Sequence, residues 1–80
     1  MEDQDVLGRI NALAHEEHAI WQKESRGEAS ETDRKRLSEL EVMLDQCWDL
    51  LHQRKARRAA GLNPEDAKPR DPRTVEGYIG

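Results

Sequence analysis

Leu37-Ser38-Glu39-Leu40-Glu41-Val42-Met43-Leu44-Asp45-Gln46-Cys47-Trp48-Asp49-Leu50-Leu51-His52-Gln53-Arg54-Lys55-Ala56-Arg57-Arg58 is the stretch that decides how this chain folds. Leu37, Leu40, Leu44, Cys47 and Leu51 recur at alternating steps of three and four residues, which places them on one face of a long helix. A second stripe, Val6, Ile10, Leu13 and Ile20, lies on the far side of a polar break around Gly27. Two amphipathic helices joined by a short break pack as antiparallel neighbours. The fold class is therefore all-α: a coiled-coil-like two-helix hairpin, followed by an extended C-terminal tail.

Boundary signals place the first helix over residues 3–25, the turn over 26–30 and the second helix over 31–60. Asp3 and Asp5 stand in the first turn, where the positive end of the helix dipole favours them, and Gly27 is the stop. Ser30 caps the second helix, with Asp33 three residues on completing a capping box. Its last turns hold Arg54, Lys55, Arg57 and Arg58, and Gly61 suits the left-handed position after the C-cap. Folding the chain about residues 28 and 29 pairs positions whose numbers add to about 57. Ile20 then meets Leu37, Leu13 meets Leu44, Ile10 meets Cys47 and Val6 meets Leu51. Glu17, opposite Leu40, is the polar exception.

Charge supports the same register. Residues 1–31 carry eight acids against three bases, whereas residues 51–80 carry seven bases against four acids. The register brings Asp3 and Asp5 beside Arg54, Lys55 and Arg57, as surface pairs of modest strength.

After Gly61 the character changes. Residues 62–80 read as a Pro-containing tail in which Asn63 caps one short helical turn near 64–67, begun by Pro64. Pro69 and Pro72 then impose an extended path. Val75, Tyr78 and Ile79 leave two readings open, a mobile terminus or a segment that folds back on the hairpin or docks onto a partner.

The composition bounds the rest. Eighty residues make one domain with a small core, and charged residues at 38% outnumber hydrophobic ones at 35%, a balance that suits exposed helices. Leu7, Ala14 and Trp21 recur every seven residues beside the first stripe, and Met43, Trp48 and Leu50 flank the second. These faces are wider than a two-helix seam needs. They mark a partner interface, most simply between two copies that pair into a four-helix bundle.

Other chemistry is weakly signalled. Ser25, Ser30 and Ser38 lack a nucleophile elbow, and no phosphate-cradling loop occurs, so catalysis is not expected. His15-Glu16-Glu17-His18 spaces its histidines by three where the metalloprotease motif needs four, which leaves at most a weak metal site on His15 and His18. Arg54, Lys55, Arg57 and Arg58, extended by Arg70 and Arg73, offer possible phosphate contacts for a nucleic-acid-associated regulator, against a net charge of −4. No cofactor is implied. One cysteine permits no internal disulfide, and the acidic N-terminus lacks a secretory leader, so a cytoplasmic setting is expected. Cys47 reads as a small core hydrophobe.

The run Glu41–Leu51, with Gln53–Arg58 and Ala60–Pro64 after it, resembles a family of short actinobacterial proteins known as a domain of unknown function. Glu16-Glu17-His18 and Val75-Glu76-Gly77-Tyr78 extend the resemblance over nearly the whole chain. It implies a stand-alone bacterial cytoplasmic protein and carries over no functional residues.

Overall fold

A computed structural model describes residues 2–79, with side chains through Glu76. Two long helices, α1 (Asp3–Ser25) and α2 (Glu31–Ala59), pack as an antiparallel hairpin, and no strand occurs among the described residues. A 3-10 turn (Pro64–Asp66) and a short helix α3 (Pro72–Ile79) follow.

The helix ends are set by local chemistry. Ser30 Oγ accepts from the Asp33 amide at 3.1 Å while the Ser30 amide donates to Asp33 Oδ2 at 3.0 Å, the reciprocal pair of a capping box. A related device starts α1, where the Glu2 amide donates to Asp5 Oδ2 at 2.7 Å. Each long helix ends in a Schellman motif. After α1 the Glu28 amide reaches the Lys23 carbonyl at 2.8 Å and Gly27 sits at φ 70°; after α2 the Leu62 amide reaches the Arg57 carbonyl at 2.7 Å and Gly61 sits at φ 75°. Only glycine takes these left-handed positions without strain.

The seam follows the expected register. Val6, Ile10, Cys47, Leu50 and Leu51 form one buried cluster, with Leu13 and Leu44 packed against it. Ion pairs across the hairpin report the same offset: Lys23–Asp33, Glu24–Arg34 and Asp3–Arg54 carry numbers that add to 56, 58 and 57. Nearer the turn, Leu40 is fully enclosed and Ile20 is buried.

The tail departs from a wholly extended path. Pro72 opens α3 instead of prolonging a strap, because its ring already holds the helical φ and its missing N–H falls where no intrahelical bond is needed. Asp71 caps it, with Oδ1 accepting from the Arg73 amide at 2.8 Å and the carbonyl accepting from the Thr74 and Val75 amides. The 3-10 turn is the one expected at Pro64, with Asn63 Oδ1 taking the Glu65 amide at 3.0 Å. Between these elements the chain folds back along α2. Gln53 Nε2 donates to the Lys68 carbonyl at 2.9 Å, Gln46 Nε2 donates to the Arg70 carbonyl at 3.2 Å, and Arg70 pairs with Asp49 at 3.4 Å. Ala67 joins the hairpin core, and Val75 is 2% exposed. The side chains of Tyr78 and Ile79, for which two readings stand open above, lie outside the described residues.

Leu40 is fully buried, so Leu40→Ala is expected to destabilise the fold by about 2–5 kcal/mol. Urea denaturation followed by circular dichroism checks this.

Candidate functional site

The basic end of α2 is divided between a buried clamp and an open surface. Arg54 continues the three-four spacing of Cys47 and Leu51, so its stem enters the seam and the residue is 3% exposed. Its guanidinium gathers three segments. Nε donates to Asp3 Oδ1 at 2.7 Å, while the two terminal nitrogens reach the Pro64 carbonyl at 3.3 Å and Glu65 Oε1 at 3.2 Å. Arg58 closes the cluster by holding both carboxylate oxygens of Asp3. Hydrogen bonds from Arg58 and then Arg54 hold the Asp3 carboxyl far below the usual carboxylate range. Of the four residues read as possible phosphate contacts, Arg54 and Arg58 are thus engaged by Asp3, leaving Lys55 exposed and Arg57 half-buried. The expectation of surface pairs at this end is corrected: the seam position of Arg54 makes the central pair a buried one.

At the other end of the hairpin Arg36 holds Glu16 through two bonds, at 2.6 and 3.1 Å, and lowers its pKa. Glu16 is therefore occupied, while His15 and His18 project into solvent. Among the described residues no group of three or more histidine, cysteine or acidic side chains is placed to hold a metal ion.

The residues read as a partner interface fall on two flanks. At about 100° per residue, Leu7, Ala14 and Trp21 stand to one side of the α1 seam, and Trp48 stands to the same side of the hairpin on α2. Leu7, Trp21 and Trp48 are 40%, 49% and 45% exposed. Met43 and Leu50 stand to the other side, where with Pro69 they line a cavity beneath the tail. Leu50 is buried at 6%. Its assignment to an exposed interface is corrected, because the returning tail and α1 already cover it.

The tail also brings acids together. Glu76 of α3 lies against Asp45 of α2, and its Oε1 is shut away from solvent without a hydrogen-bond partner among the described residues. A side-chain hydrogen bond with Asp45, then burial, then the charges of Asp45 and Glu41 push the Glu76 carboxyl up. Glu17 on α1 is also raised, by burial first and then by Glu41 and Asp45.

Comparison with known proteins places the chain. The family described as "Protein of unknown function (DUF2630)" matches residues 2–80. This chain belongs to that family. An uncharacterized protein of Mycobacterium tuberculosis (strain ATCC 25618 / H37Rv) is 42% identical over 79 residues, covering 98% of this chain and 91% of the relative. An uncharacterized protein of Mycobacterium bovis matches with the same identity and coverage. No solved structure matches. Among the described residues no helix is long and apolar enough to cross a membrane.

The two carboxyl clusters have opposite signs of pH dependence. Asp3 and Glu16 have lowered folded pKa values, so their contribution is present at neutral pH and is lost as pH falls through those values; the raised Glu76 contributes below the ordinary carboxyl range and is lost as pH rises. Hydrogen-exchange protection of α3, corrected for intrinsic rates, is expected to rise as the pH is lowered from neutral, because Glu76 takes up its proton early. Asp45→Asn should confer that protection at neutral pH.

Proposed function

We propose that this chain works as a small non-catalytic interaction protein of the cytoplasm, and that it assembles with a second copy of itself through the flank carrying Leu7, Ala14, Trp21 and Trp48. The observation that carries the reading is a one-sided structure. Met43 and Leu50 line a cavity beneath the tail on one flank of the seam. Stable domains bury their apolar faces between packed layers. On the other flank two tryptophans and a leucine stand open, Trp21, Trp48 and Leu7.

The spacing of those residues favours a second copy as the occupant. Leu7 and Trp21 lie seven residues to either side of Ala14. A two-fold axis through Ala14 sets α1 antiparallel to its copy, so that Leu7 of each chain meets Trp21 of the other and the small Ala14 lets the backbones approach. Closed two-fold pairing is also the commonest assembly, and two hairpins joined this way make a four-helix bundle.

Light scattering coupled to gel filtration, over a wide range of concentrations, tests the proposal. The expected mass is twice the 9.2 kDa of one chain. Trp21→Glu and Leu7→Glu should each return the chain to its single mass with helical content unchanged, because both side chains are exposed within one hairpin. A wild-type protein that keeps the single-chain mass at high concentration overturns the reading.

A further inference from the structure

On the flank away from Trp21, the tail roofs a cavity of about 90 Å³ between the two long helices. Its walls are mainly apolar: Val6 from α1, Met43, Cys47 and Leu50 from α2, and Pro69 from above. Three polar side chains also reach it, and two of them are already occupied. Asp5 accepts from the Glu2 amide, and Gln46 donates to the Arg70 carbonyl. The third is Arg9, whose exposed guanidinium makes no ion pair among the described residues. Its charge nonetheless reaches into the cavity, since it draws the Cys47 thiol downward against the larger upward push of burial.

A mainly apolar, partly open wall, with a guanidinium at its solvent edge that makes no ion pair among the described residues, suits a molecule with an apolar body and a single anionic end. A carboxylate matches the fork of an arginine, which donates two parallel hydrogen bonds. Size sets a limit, because an apolar cavity of about 150 Å³ accepts benzene and this one is smaller, so it encloses on the order of three or four carbons and leaves the rest of a short chain in its open mouth beside Arg9. We propose that this cavity binds a short-chain aliphatic monocarboxylate, its carboxylate on Arg9 and its alkyl chain against Val6, Met43, Cys47, Leu50 and Pro69. Because Pro69 lies between the two tail carbonyls held by Gln53 and Gln46, an occupied cavity also fastens the tail to α2.

Cys47 supplies a readout inside the site. Its rate of alkylation by iodoacetamide is measured during titration with hexanoate, and in parallel with hexan-1-ol and hexylamine, which keep the chain and change the headgroup. Hexanoate is expected to slow alkylation saturably. The alcohol and the amine should act at least tenfold more weakly, and Arg9→Gln should weaken the hexanoate effect at least tenfold. Arg9 is exposed, so that variant is expected to fold, and circular dichroism confirms it. Amide shifts of residues 67–71 should follow the same saturation curve. Equal potency of the alcohol or amine, an Arg9→Gln variant with unchanged response, or no saturable protection of Cys47 overturns the proposal. The cavity lies on the flank opposite Trp21, so the outcome is independent of self-association.

Discussion

The contact on which the structure most depends is the hold of Arg54 and Arg58 on Asp3. The start of α1 and the end of α2 are the parts of an antiparallel hairpin farthest from its covalent turn, and nothing local keeps them together. A guanidinium that enters the seam, with its remaining donors on Pro64 and Glu65, joins those ends to the first element of the tail. A buried cation is tolerated only when its partners are in place. The position of Asp3 and the return of the chain after Gly61 are therefore parts of one arrangement.

Once the chain has turned back, its course decides what the hairpin shows to its surroundings. Lys68 and Arg70 offer their carbonyls to Gln53 and Gln46, and Ala67 and Val75 add apolar contact. This covers Leu50, half-covers Met43 and leaves a small cavity. The other flank receives no such cover. The two flanks therefore differ: one carries a small cavity beneath the tail, and the other presents exposed tryptophans. At α3, a hydrogen bond between Glu76 and Asp45, with burial, favours the protonated Glu76 carboxyl and ties this helix to the pH.

Much of this was legible in the residues. The stripes fixed which helix faces meet, and the spacing from the turn fixed the register. Gly27, Ser30, Gly61 and Asn63 each signalled an end by chemistry confined to a few neighbours. Arg54 stands one step beyond Leu51 in the three-four series, a sign in the sequence that its side chain enters the seam. The sequence Asp71-Pro72 was read for its power to break a helix, while the same pair is a cap followed by a favourable first position. Which reading holds depends on whether Val75 finds a surface to cover it, and that surface belongs to α2.

The sequence alone determined the helical hairpin, its boundaries and its offset, because amphipathic spacing, caps and glycine positions act over a few residues and each names its own partner. The tertiary structure alone decided that Leu50 is covered, that Trp21 and Trp48 remain open, and that Arg9 stands beside a cavity without an ion pair among the described residues. Those outcomes turn on which flank of the hairpin receives the tail. Apolar residues on both flanks offered comparable places to land, and the choice was made by contacts between segments distant in the chain.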